Sequence, residues 1–136
     1  MLLSTLTRKE KLKFLDLAIH IALVDGDATE QENRMLKLMV AEVSDDVFKE
    51  YHFVLSDNLE ETIQFFEQAP KRVKNIVYMN LFKISVVSPV YTTNAHFLLE
   101  DIRYRLGIVD EQKRDLIHIV YSEKDLREKA LSLVNK

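Results

Sequence analysis

Apolar residues recur along this chain at spacings of three and four, the period of one face of an α-helix. Leu12, Leu15, Ile19, Ala22 and Leu23 form the first such stripe. It follows Thr7-Arg8-Lys9-Glu10, a capping box in which hydroxyl and carboxylate satisfy each other's backbone N–H groups. Asp25-Gly26-Asp27 predicts the stop, because glycine readily takes the left-handed conformation that ends a helix. Thr29-Glu30-Gln31-Glu32 is a second capping box, and Met35, Leu36, Met39, Val40 and Val43 carry the next stripe. Ser44-Asp45-Asp46 interrupts it, and 47–53 reads as a short helix. Asn58 predicts the start of a fourth helix with Leu59, Ile63 and Phe66 inward, ending near Gln68.

Pro70 suits the opening of a fifth helix, where its missing N–H is no loss. Val73, Ile76, Val77, Asn80, Leu81, Ile84 and Val87 follow in helical order until Pro89 forbids continuation. Thr92 or Thr93 caps a sixth helix carrying Phe97, Leu98, Leu99, Ile102 and Leu106, which Gly107 stops. Asp110 is the expected cap of a seventh, with Leu116, Ile117 and Val120 inward. Ser122 is expected to restart the chain as a last amphipathic helix bearing Leu126, Ala130, Leu131 and Val134. The expectation is an all-α, compact bundle of about seven or eight helices in one domain spanning 1–136.

Shifting the sequence by 63 residues lays one long hairpin on another. Ile19, Ile21, Leu23 and Val24 meet Phe82, Ile84, Val86 and Val87. Thr29 meets Thr92, and Met35, Leu36, Met39 and Val43 meet Leu98, Leu99, Ile102 and Leu106. Any two amphipathic helices match at some shift. The coincident loop and capping threonine favour a duplicated helical hairpin, with repeat 1 at about 7–43, repeat 2 at about 70–106 and C-terminal helices at about 110–134. Each hairpin carries an apolar stripe it cannot bury alone, so the two should share a core.

Composition narrows the classes. With 47% apolar residues and only two each of Gly and Pro, the 136-residue chain suits a helical domain better than a turn-rich sandwich or barrel. It has no Cys, which removes disulfides, thiolate zinc sites and cysteine nucleophiles. No apolar run reaches the ~20 residues of a membrane span, and residues 1–7 lack the pattern of a signal peptide. A cytoplasmic location is therefore expected. A net charge of −3 argues against a dedicated nucleic-acid binder.

The run Ala18-Ile19-His20-Ile21-Ala22-Leu23-Val24-Asp25-Gly26-Asp27-Ala28-Thr29-Glu30-Gln31-Glu32, set in a repeated hairpin, resembles the TerB-like (tellurite-resistance protein B-like) family. The likeness is clearest over residues 8–43 and extends faintly to about Leu106. It implies a bundle of about seven helices, a role in stress response or protein assembly rather than catalysis, and an acidic patch that takes a divalent metal. By position, Asp25, Asp27 and Glu32 are the implied ligands, with Ca²⁺ or Mg²⁺ as the implied ion. The family pattern keeps acids in the second repeat as well; here Ser88-Pro89 and Ala95 stand in their place, which halves the patch.

The residues alone support a plainer account of the same loop. Acids in the first turn of a helix are favoured by its dipole, and Glu32 is the expected capping-box partner. The loop is not an EF-hand, since Glu30 and Leu36 occupy its sixth and twelfth positions. His20, His52, His96 and His118 are scattered, and there is neither a phosphate loop nor a nucleophile elbow, so no enzyme is expected. Arg8-Lys9-Lys11-Lys13 and Lys71-Arg72-Lys74 open equivalent helices and read as solvated helix ends before phosphate or lipid contacts. Within 84–96, Val86, Val87 and Val90 are expected to be buried, with Tyr91 as the open candidate for a partner surface. The leading expectation is a non-enzymatic interaction module with a protein partner, self-association included. The alternative is a structural helical adaptor or homodimer whose acids only cap a helix.

Overall fold

Both predicted capping boxes form. The Thr7 hydroxyl accepts from the Glu10 N–H while Glu10 accepts from the Thr7 N–H, at 3.2 and 2.8 Å. Thr29 and Glu32 make the same exchange at 3.1 and 2.9 Å. In a computed structural model that describes residues 1–43, 57–88 and 91–136, these caps open α1 (Arg8–Ala22) and α2 (Glu30–Val43). A short 3₁₀ turn, Leu3–Thr5, precedes them. Next come α3 (Leu59–Glu67), α4 (Lys71–Val87), α5 (Thr93–Arg105) and α6 (Asp110–Val134). The described residues are all-helical apart from their connections. The short helix expected at 47–53 lies outside them.

α4 is the centre of the bundle. It packs against α1, α2, α3, α5 and α6, and every residue from Ile76 to Phe82 is buried. A helix enclosed on all sides has no room for a polar face, which explains its near-continuous apolar run. The exceptions are satisfied within the helix: the Asn80 amide donates to the Ile76 carbonyl at 2.8 Å, and the Ser85 hydroxyl to Leu81 at 3.4 Å. Residues of both hairpins join one apolar core, from Phe14, Leu15, Met39 and Val43 to Ile84, Leu99 and Ile102.

The two hairpins keep the 63-residue offset at their helix starts: Arg8 and Lys71 open α1 and α4, and Glu30 and Thr93 open α2 and α5. Gly26 and Gly107 both have positive φ, 107° and 70°. At Gly107 the chain closes a Schellman motif, with the Gly107 N–H on the Tyr104 carbonyl and the Ile108 N–H on Arg103, each at 3.1 Å.

Two expectations change. The described residues form six α-helices, because no break occurs at Ser122 and 110–134 is one continuous helix. The stretch from Tyr121 to Glu128 has no glycine or proline, and a lone serine does not stop a helix. Val109 rather than Asp110 is the N-cap of α6; Asp110 is its first helical residue and pairs with Arg103 at 3.1 Å. Leu126, Ala130, Leu131 and Val134, expected as the apolar residues of a last amphipathic helix, are exposed.

Candidate functional site

The loop between α1 and α2 meets the loop between α4 and α5 at one end of the bundle. Asp25 is where they join. Its Oδ2 accepts from the Thr92 hydroxyl at 2.5 Å and its Oδ1 from the Asn94 amide at 2.9 Å. Thr92 also caps α5, accepting from the Ala95 N–H at 3.2 Å. One side chain therefore ends a helix of the second hairpin and holds the first hairpin's acid. The hydrogen bonds from Thr92 and then Asn94 hold the Asp25 carboxyl below the usual carboxylate range.

Beneath this junction lies a cavity of about 180 Å³. Its lining pairs up across the 63-residue offset: Ala22 with Ser85, Asp25 with Ser88, Thr29 with Thr92, Glu32 with Ala95. The cavity therefore sits between matching positions of the two hairpins. Asp27 completes the acidic side of its wall. Asp25, Asp27 and Glu32, the three predicted residues, are thus brought to one cavity.

Their oxygens are not gathered to hold an ion. Asp25 has both oxygens engaged by Thr92 and Asn94, and Glu32 accepts from the Thr29 N–H in the capping box. Among the described residues no group of three or more His, Cys, Asp or Glu side chains is placed to hold a metal. By sequence the second loop offers a helix cap and no acid. Its Thr92 and Asn94 are instead hydrogen-bond donors facing the acid of the first loop, a complement readable from the same 63-residue alignment.

The other candidates have structural partners. Lys9 and Lys13 lie over the Phe65 ring, 5.2 and 5.9 Å from its centroid, and Arg72 donates to the Thr5 hydroxyl. Val86 is buried and Val87 half-buried, while Val90 lies outside the described residues. Tyr91 is exposed; its ring meets Phe82 edge-on, and its hydroxyl stands 3.2 Å from His96 Nδ1. Burial pushes the Tyr91 phenol up to about 12.

A second cavity, about 330 Å³, opens between α2, α4 and α6 over a floor of Met35, Val86, Val87 and Val120. Lys83 and Glu123 pair at its rim. Lys124, Arg127 and Glu128 form its outer wall, and every residue of the chain from Lys124 to Lys136 is exposed.

Over the described residues, fold and site together define an all-helical arrangement of paired hairpins with a long C-terminal helix. No helix among the described residues is long and apolar enough to cross a membrane. No protein-family model matches the chain, and neither curated proteins nor solved structures yield a match.

Proposed function

We propose that this chain is a non-enzymatic interaction module, TerB-like in its paired hairpins, that binds protein through the free part of α6. The observation that carries the reading is the exposure there of Leu126, Leu131, Leu133 and Val134. Large apolar side chains grouped on one helix and left in water mark a contact surface. Of the roles the TerB-like resemblance implies, protein assembly fits this surface most directly. The engaged oxygens of Asp25 and Glu32 support a structural task for the acidic loop, that of latching one hairpin to the other. Sedimentation of the natively purified full chain tests the reading. It should run as a species heavier than its 15.9 kDa, and Leu131→Asp with Leu133→Asp should return it to monomer. A wild-type chain that is monomeric and alone at every concentration would overturn it.

A divalent-cation site is the second reading, and one observation favours it: Asp25, Asp27 and Glu32 line the same cavity. The donor set is a poor fit, because Ca²⁺ or Mg²⁺ needs several free oxygens, and among the described residues both Asp25 oxygens and one of Glu32 already accept hydrogen bonds. Thermal melting with millimolar Ca²⁺ or Mg²⁺ against chelator separates the two. A ligand at a hundred times its dissociation constant stabilises by about 2.7 kcal/mol. The latch predicts no shift; a rise in Tm that disappears in Asp27→Asn would restore the cation site.

A further inference from the structure

We infer that the partner of α6 is a second copy of the same helix, lying antiparallel across a two-fold axis at Leu126. This deepens the interaction reading above and rests on it.

Ile119, Leu126 and Leu133 are spaced by seven residues, and Ala130 falls among them. At 100° per residue these four occupy an arc of about 60°, centred about 110° from the buried Val120. The stripe therefore points sideways, clear of the face that packs on the body of the molecule. Its large members are 48%, 68% and 70% exposed.

The charges around the stripe identify what covers it. From Glu123 to Lys129 the sequence is Glu, Lys, Asp, Leu, Arg, Glu, Lys. The signs read minus, plus, minus, none, plus, minus, plus. Reversing the order about Leu126 inverts every sign, so the segment is its own electrostatic complement when run backwards. On the helix surface Glu123 and Arg127 flank one side of the stripe, and Asp125 and Lys129 the other. An antiparallel copy brings Glu123 to Arg127 of the second copy along one flank, and Asp125 to Lys129 of the second copy along the other. Each pair occurs twice, as an isologous two-fold contact requires. A parallel pair would set each charge level with its own copy.

The apolar register agrees. Leu126 meets its own copy at the axis and Ile119 meets Leu133. Ser122 meets Ala130, two small residues that allow the helices to approach closely. Within the chain these charges are largely unused. Glu123 reaches Lys83, but Lys124, Asp125, Arg127, Glu128 and Lys129 form no ion pair among the described residues. They are spaced for helical i,i+4 pairs and do not make them.

The test is a charge swap at the flank that has no partner in the chain, read by sedimentation across micromolar to millimolar protein. Asp125→Lys faces Lys129 of the second copy with like charge, and Lys129→Asp faces Asp125. Each single variant should weaken self-association about tenfold. An equimolar mixture of the two should recover it, and so should Asp125→Lys with Lys129→Asp in one chain. Leu126→Asp should abolish it. Circular dichroism in dilute protein, where wild type and variants are alike monomeric, should show the same helix content, since all three positions are exposed. Self-association unaffected by the single swaps, or not recovered by mixing, would overturn the antiparallel pair. A monomeric wild type whose complex with a different protein is lost in Leu126→Asp would also overturn it while leaving the interaction reading intact. Loss of both would leave neither.

Discussion

Asp25 and Thr92 are 67 residues apart in the chain, and Asp25 Oδ2 lies 2.5 Å from the Thr92 hydroxyl. That bond closes the loop of the first hairpin onto the helix cap of the second. Thr92→Val removes the cap and the latch together and should destabilise by about 1 kcal/mol or somewhat more, the usual cost of a lost N-cap. Thr92→Ser keeps both bonds and should stay near wild type. Asp25→Ala loses only the latch, so its urea midpoint should fall between those two. A Thr92→Val midpoint equal to wild type would remove the latch from the account.

Acid should weaken the fold. Hydrogen bonds hold Asp25 below the carboxylate range, and the Arg105 hydrogen bond does the same for Glu60. Burial raises Glu100, but hydrogen bonds from Arg103 and Lys113 outweigh it and leave the group lowered. A carboxylate lowered in the folded state contributes stability that is present above its unfolded value, near pH 4, and lost as pH falls through the folded one. Asp16, raised by burial, runs the other way. Urea titrations should therefore show stability falling below about pH 4, and Asp16→Asn should lose the small opposing gain that Asp16 makes as pH falls through its raised value towards 4. Stability that holds or rises on acidification would contradict these assignments.

The fold was legible because its signals are local. Thr7, Thr29 and Thr92 begin helices with side-chain caps, Gly26 and Gly107 take positive φ, and apolar spacing identifies most of the core. Ser122 was misread because serine favours helix starts yet costs little inside a helix that is otherwise well formed. For Leu126 and Leu131 an amphipathic stripe records only that a face seeks cover, and the described residues do not supply it. Asp25, Asp27 and Glu32 line one cavity, and the capping role of Glu32 is legible within its own loop. The pairing of Asp25 with Thr92 and Asn94 depends on where two distant loops meet, which spacing within either loop does not contain.

Thr62 is fully buried in α3, and its hydroxyl has no hydrogen-bond partner among the described residues. An unsatisfied buried hydroxyl costs free energy, and valine has nearly the same shape without it. Thr62→Val should be neutral or stabilising by up to about 1 kcal/mol, whereas Thr62→Ser keeps the hydroxyl, loses a methyl and should destabilise by a similar amount. Chemical denaturation of the pair reads the sign. A loss above about 1 kcal/mol in the valine variant would mean that the hydroxyl has a partner.

Hydrogen exchange should divide α6 in two. Its first half packs on α4 through Val120, with Leu116 and Ile117 half-buried against the core. In its second half every residue from Lys124 to Val134 is exposed, with Lys124, Arg127 and Glu128 lining the cavity that faces α2. A helical segment of that length gains little stability in water without packing, so its amides should open locally. In dilute protein, protection should fall steeply beyond Glu123, while amides of the enclosed α4 exchange only through global unfolding. Raising the concentration should restore protection from about residue 119 to 133 in the wild type and leave Leu126→Asp unchanged. Strong protection of this half in dilute Leu126→Asp would mean that cover for it exists within the chain itself.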